Sequence, residues 1–449
     1  MAKLNNAVLA IKTALREAEI TLGEHKRPPK KAIKYLLQLF ENLDDKRVQG
    51  MVHYPLDYIV TLAFLAVLGD ANTWQEIHDF CNDNQRWLSK YLPIKEYGIP
   101  SHDTFNRVFD LIKTEQLQCM IVNIVINNIN CLKKKLGIKP SKDEMKLLSI
   151  DGKHEKSSGR KNIVKRGIGV ANMQTLHVYD SSNQICLASE PINAKTNEIP
   201  IAQNILMTMD LSNTLCSFDA LHTQTKTVEI IRNNNGHYIG AIKANHQTIY
   251  NVVVQSFPEE LLEKMSDSRA TKKPIYIYKE EDSHSQFNMR EFFMVKAPKN
   301  EQTIEWSGIK TFIMCPKINV KKSLKEEMTL EEIREGISSG TRYFISDLDD
   351  LNLISEAIRR HWGIEEFHWQ LDTTFEQDDN RTMKHNALNN LNLLKNLTLH
   401  LCQLMKTVDK YASIRRLRKR YAWNFEENLK QLLMLFDTDA IIQAINSCN

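Results

Sequence analysis

Apolar positions along the chain follow three different rhythms. From 1 to 140 they recur every three or four residues, the repeat that lays one face of a helix against a core. "AVLAIKTALREAEITL" and "AIKYLLQLFENL" carry this repeat on either side of the Pro28-Pro29 break. "PLDYIVTLAFLAVLG" is apolar all round, which predicts a buried helix opened by Pro55 and closed by Gly69. In "TWQEIHDFCNDN" Thr73 and Glu76 stand at the spacing of a capping box. "PSHDTFNRVFDLI" and "EQLQCMIVNIVINNINCLKKKLG" predict two further helices. The lysines and Gly137 ending the second suit the negative end of a helix dipole.

After 140 the period shortens. "KLLSI" (146–150) and "TLCSF" (214–218) are short apolar runs, each ending at an aspartate, Asp151 and Asp219. "MQTLHVYD" and "QICLASEP" are extended stretches joined by "SSN", a hairpin signal. "NEIPIAQNILMTMDL" and "TQTKTVEIIRNNNG" predict helices, and "HYIGAIKA" a strand. Strand, hairpin, helix, strand, helix, strand is the order of a ribonuclease H-like α/β core, a mixed sheet with helices on its faces. Between 248 and 345 strands are predicted at "PIYIYKEE", "REFFMVKAP", "KTFIMCPKI" and "TRYFISDL", with helical "PEELLEKM" and "TLEEIREGI" beside them. Helical patterns then return to the end. The expected organisation is a helical domain over 1–140, a core made of 141–247 and 346–410, a β-rich insertion over 248–345, and a basic helical tail over 411–449.

Composition changes this picture little. The chain has 449 residues, 42% hydrophobic and 25% charged, as expected of a folded protein of two or three domains. Its net charge of +4 does not by itself point to nucleic acid. The basic residues are clustered, however, at "KRPPKK", "KSSGRKNIVKR", "KINVKKSLK" and "RRLRKR". The eight cysteines form no CxxC pair and no zinc spacing, and read as reduced thiols. No signal peptide is visible, and the longest apolar run, "YIVTLAFLAVLG", is too short to span a bilayer. A cytoplasmic protein without a membrane partner is expected.

The chemistry is expected where the two short apolar runs end. Open α/β sheets place ligand groups at the carboxyl ends of their strands. One aspartate there is ordinarily a turn or cap residue. Two on neighbouring strands repel unless a divalent cation sits between them, and Mg²⁺ prefers carboxylate oxygen. A third carboxylate is sought in "RRHWGIEEFHWQLD" (359–372), with Glu365 the candidate.

"SIDGK", "KTNEI", "DALHTQ" and "AIKANH" occur in order, followed by "IRRHWGIE" and "HWQLD". The set resembles the DDE transposases of bacterial insertion sequences, in the group that includes the H-repeat-associated proteins. The amino-terminal "TWQEIHDFCNDN" and "YGIPSHDTFNRVF" resemble the same group, so the likeness covers roughly 40–410. Each motif is short; their order is what makes the set specific. The resemblance implies a catalytic triad of Asp151, Asp219 and Glu365 holding two Mg²⁺ ions, with Mn²⁺ able to substitute. It implies endonuclease cleavage of double-stranded DNA at transposon ends, then attack of the freed 3′-hydroxyl on target DNA, by a homo-oligomer. After DGK this chain carries His154, Glu155 and Lys156 where the family commonly has Thr-Leu-Arg. After Glu365 it is one residue short of the family's I-E-N-x-L-H-W. On a helix that loss rotates the later side chains by about 100° and makes Glu366 a competitor.

Six further residues are expected to touch DNA: Lys153, Lys195, Lys243, Asn245, His361 and Arg381. Gln224 is expected to orient the Asp219 loop, and Asn197 to cap a helix. Trp362 and Trp369 are expected as core anchors. Three other readings stand beside the transposase: a DNA-binding descendant whose active site has decayed, a nuclease without strand transfer, and a zinc module built on His361, Glu365 and His368, which share one helical face.

Overall fold

The computed structural model describes residues 3–4, 6–17, 29–48, 50–139, 144–158, 172–192, 197–266, 274–282, 286–321, 338–406 and 413–426. Its strands are β1 (Lys3–Leu4), β2 (Glu144–His154), β3 (Gln174–Asp180), β4 (Ile185–Ile192), β5 (Thr214–Phe218), β6 (His237–Ile242), β7 (Tyr276–Asp282), β8 (Gln286–Lys296), β9 (Thr311–Lys321) and β10 (Ser338–Ser346). The chain divides into two compact units.

The first unit comprises Met1–Asn5, Lys142–Asp151 and Asn197–Ile364. It holds a mixed sheet in which β2, β5 and β6 run parallel, followed by antiparallel β10, β9, β8 and β7. The β-rich segment therefore extends the sheet through β6, with Tyr343 of β10 opposite Ile242. β1 adds a short parallel partner to β2, Lys3 opposite Glu144. On one face the helix Leu351–Thr373 begins by burying Leu353, Ile354, Ala357 and Ile358 in a cluster with Leu147, Leu215, Ile239, Phe292 and Phe344. Their three- and four-residue spacing is why this segment is a helix and why it lies on the sheet.

The second unit comprises Asn6–Ser141, Gly152–Thr196 and Glu365–Asn449. The hairpin β3–β4 belongs to it, as does the helical region predicted from the amino-terminal pattern. The helix Leu56–Leu68 is buried on all sides but Asp57. It ends at Gly69, where an added Cβ would lie 2.2 Å from the Phe80 ring. The Thr73–Glu76 capping box forms: Thr73 Oγ1 accepts from Glu76 N at 3.3 Å, and Glu76 Oε2 from Thr73 N at 3.1 Å. The helix His385–Met405 is buried from Ala387 through Cys402. The predicted helix at "TLEEIREGI" lies outside the described residues.

Candidate active site

Two parallel strands fix the first two aspartates. Along β2 and β5, Leu147 pairs with Leu215, Ser149 with Ser217 and Ile150 with Phe218. The next residues are Asp151 and Asp219. Residues two apart on a strand share a face, so Leu147, Ser149 and Asp151 form one column and Leu215, Ser217 and Asp219 its neighbour. Each column runs from apolar to hydroxyl to carboxylate. The aspartates directly follow the last paired residues of the two strands, Asp219 at the carboxyl end of β5 and Asp151 where β2 runs on alone past that pairing toward His154.

The helix on that face has the same gradation. Ile354, Ala357 and Ile358 meet the apolar end of the columns. About one turn on, His361 Nδ1 lies 2.9 Å from Ser217 Oγ, which is 3.2 Å from Ser149 Oγ. Burial pushes the His361 imidazole down to about 4, against the opposing pull of Asp219. At neutral pH it is an uncharged hydrogen-bonding link between helix and sheet.

The Asp219 loop is tightly braced. Asp219 Oδ1 accepts from Leu221 N at 3.0 Å and His222 N at 3.1 Å. Thr223 Oγ1 donates to the Asp219 carbonyl at 2.7 Å. Asn245 Nδ2 donates to the Ala220 carbonyl at 3.0 Å, and His246 Nε2 does so at the same distance. Gln224 holds the loop through the Leu221 carbonyl at 3.0 Å, the orienting role expected of it. His222 Nε2 lies 3.2 Å from Glu198 Oε2, beside the Asn197 cap that accepts from Ile199 N at 3.1 Å. Gly240 on β6 leaves room for the loop: a Cβ there would lie 2.8 Å from Thr223 Cγ2 and Oγ1 and 2.9 Å from the Phe218 ring.

In the second unit a buried charge network surrounds the continuation of β2 past Asp151. Lys153, whose side chain is 5% exposed, makes an ion pair with Asp372 and lies 3.8 Å from Asp378. Lys156 reaches Asp378 at 2.6 Å. Burial pushes the Glu155 carboxyl up to about 7, opposed by Lys395 and Lys153. Burial likewise pushes the Lys395 ammonium down to about 8, opposed by Glu155. Asn392 Nδ2 donates to Glu155 Oε1 at 2.9 Å, and Lys395 to the Phe375 carbonyl at 3.0 Å. His177 Nδ1 and His368 Nε2 lie 2.9 Å apart, and burial holds both imidazoles well below their ordinary range. Phe367 stacks on Tyr179 at 5.1 Å. Glu365 and Glu366, on the same helix, are exposed.

The residues expected to touch DNA are thus variously placed. Lys243 and Arg381 are exposed, and Arg381 lines a cavity of about 610 Å³ with Trp74 and Lys384. Lys153, Asn245 and His361 are engaged by Asp372, the Ala220 carbonyl and Ser217. Lys195 lies outside the described residues. The core role expected for Trp369 is corrected: it is 58% exposed, because Phe367, Gln370 and Leu371 take the inner face of that turn. Trp362 instead faces the guanidinium groups of Arg290 and Arg342, at 5.4 and 5.7 Å. The zinc trio does not form. His361 and His368 point to Ser217 and His177, and among the described residues no three His, Cys, Asp or Glu side chains stand close enough to hold a metal ion.

Asp372 and Asp378 were not singled out by sequence, and Glu155 only as a departure from the family's pattern. "HWQLD" supplied the first within a motif, but nothing in its letters says that it answers a buried lysine two residues past Asp151.

The geometry is that of a mixed α/β sheet with aspartates just past the paired residues of two neighbouring parallel strands, and the comparisons with known proteins give the family. Residues 143–401 match the transposase DDE domain, and residues 37–124 match the DDE_Tnp_1-associated domain. The chain belongs to the DDE transposase family, whose catalytic domain is ribonuclease H-like. It is similar to "Putative transposase YncI" of Escherichia coli O157:H7, 28% identical over 88% of this chain and 93% of that protein. It is also similar to "H repeat-associated putative transposase YhhI" of Escherichia coli strain K12, 26% identical over 79% of this chain and 86% of that protein. Among the described residues no helix is long and apolar enough to cross a membrane.

Proposed function

We propose that this protein cuts and joins DNA at the ends of an insertion sequence, with Asp151, Asp219 and Glu365 as its catalytic carboxylates. The observation that carries the proposal is the matched pair of columns. Asp151 and Asp219 come directly after the paired residues Ile150 and Phe218, on the face where His361 meets Ser217. Glu365 is one turn beyond His361 on the same helix. At about 100° per residue, Glu365 lies about 40° around the helix from His361 and Glu366 about 140°. The first therefore keeps the direction of the imidazole and the second turns away, toward the side on which Tyr179 feels its charge.

The donor chemistry fits a divalent cation: two hard carboxylates side by side on one face, one of them oriented by backbone amides. Asp151 and Asp219 would hold Mg²⁺, or Mn²⁺ in its place, with Glu365 completing the set once the cation offsets the repulsion that keeps three carboxylates apart, and bound metal would polarise the phosphodiester and lower the pKa of an attacking water or hydroxyl. The chain's own residues prepare that place. The Leu221 and His222 amides keep Asp219 turned, Asn245 and His246 hold the loop, and neutral His361 locks the helix without adding charge. Lys243, exposed just past β6, would meet a phosphate in this reading, and exposed Arg381 is a second candidate. The protein acts as a homo-oligomer on its DNA ends in this reading.

Incubating purified protein with element-end DNA and Mg²⁺ or Mn²⁺ tests it. Wild type should nick the end, and Asp151→Asn and Asp219→Asn should bind the same DNA without cutting. Pre-cleaved ends offered with target DNA should be joined. Ends left unjoined would reduce the reading to a nuclease, and a wild type that binds without cutting would reduce it to a decayed descendant.

A further inference from the structure

The helix Ile414–Trp423 reads IRRLRKRYAW, with five basic residues and no acidic one. One of the five faces inward. Arg418 is fully buried; it donates to the Thr374 carbonyl at 2.6 Å and the Val67 carbonyl at 2.8 Å. It also lies 3.0 Å from Asp70 Oδ1 and 3.9 Å over the Phe375 ring. With Ile414, Leu417 and Tyr421 it locks the inner face of the helix into the second unit.

That anchoring fixes what the outer face presents. Arg415, Arg416, Lys419 and Arg420 are exposed at i, i+1, i+4 and i+5, a single stripe along the helix. Trp423, at i+8, continues the stripe and is 81% exposed. Asp70 feels Arg415 and Lys419, but its ion pair is with Arg418. Solvation accounts for the cations. It does not account for a bare indole at the end of their row, which costs apolar area left in water. Cations that meet phosphate, beside a ring that meets a base or sugar, are the recurring elements of nucleic-acid surfaces.

We propose that this helix face is a further DNA-contacting surface, gripping the phosphate backbone of duplex DNA. The proposal rests on the reading of the chain as a DNA-cutting enzyme. From Arg415 to Trp423 the stripe spans about 12 Å at 1.5 Å per residue. Duplex DNA carries about one phosphate charge per 1.7 Å of axis with both strands counted, so about seven lie along that length. The helix offers them no opposing carboxylate of its own. Contacts of this kind hold DNA of any sequence and set its path.

Salt dependence of binding tests the surface, with full-length protein and a random-sequence duplex lacking element ends. Replacing Arg415, Arg416 and Lys419 together by Gln should lower the slope of log affinity against log salt by about 2 to 3, near 0.9 per lost contact. Trp423→Ala should weaken binding severalfold with the slope unchanged. Thermal melting should stay at the wild-type value in both, since all four side chains face water. A triple variant that keeps the wild-type slope overturns the proposal. So does one that loses affinity for anionic phosphatidylserine vesicles but not for DNA. The same comparison in an Asp151→Asn background separates the two readings: a slope that falls there supports the surface even if wild type never cuts.

Discussion

Lys153 and Asp151 sit two residues apart on β2, and burial asks different things of them. An ammonium whose side chain is 5% exposed needs a counter-charge, and Asp372 supplies it. Removing one partner of a buried pair leaves the other uncompensated. Lys153→Met should therefore cost about 2–3 kcal/mol, discounted from a fully buried pair because Asp372 is partly exposed. A double-mutant cycle with Asp372→Asn in urea unfolding checks this: the two costs should fall short of additivity by about 1 kcal/mol or more. His400 gives a pH signature. Its Nδ1 donates to the Gln184 carbonyl at 3.3 Å, and burial pushes the imidazole down to about 4. Between its ordinary value of 6.5 and about 4, the unfolded chain takes up a proton that the folded one refuses. Stability therefore rises with pH through that window and is lost on acidification, by up to about 1.4 kcal/mol per pH unit for the one group. His400→Gln should make the acid limb of the stability curve shallower by that slope, measured by chemical denaturation from pH 7 to 4.

At the scale of elements, the register of β2 against β5 does most to define the site. A strand slipped by one residue would turn its whole column to the other face, separating Asp151 from Asp219. Gly240 on β6 protects the arrangement from the other side, because any Cβ there meets Thr223 and the Phe218 ring. Gly240→Ala should cost about 1–3 kcal/mol as an overpacked contact. It should also slow cutting more than DNA binding, since Thr223 carries the Asp219 carbonyl; a variant with unchanged melting temperature and unchanged cutting would count against this bracing role. Much of this was legible in the sequence. "KLLSI" and "TLCSF" end at their aspartates because a buried strand must be apolar and a turn at its end need not be. The same periodicity revealed β7–β10, but not that they extend the sheet through β6, because strand order depends on partners far along the chain. The seat of His361 was illegible for a related reason: an imidazole in a helical pattern looks alike whether it faces phosphate or a buried serine.

For the molecule as a whole, the question is which glutamate of "IEEF" joins the two aspartates. The proposed third carboxylate is Glu365, on the helix Leu351–Thr373, with Glu366 beside it. A residue short of the family's pattern, the helix could have shifted its facing. The spacing of the residues around the two glutamates favours Glu365 in the proposed set. Ile354, Ala357, Ile358 and His361 keep one face on the sheet, and Phe367 is buried against Tyr179. By helical spacing Glu365 continues the line of His361, and Glu366 is the one whose charge helps raise the Tyr179 phenol. Three carboxylates brought together repel until a cation joins them, so the glutamate that belongs to the set should be felt in metal response as well as in rate. Glu365→Gln should reduce Mn²⁺-dependent cutting about a hundredfold or more, in the range seen when a group acting directly on the transition state is removed, and should shift the metal concentration for half-maximal cutting upward while DNA binding holds. Glu366→Gln should cut within a few-fold of wild type at the same metal concentration. The reverse pattern would place the missing residue elsewhere in the helix and assign the third carboxylate to Glu366.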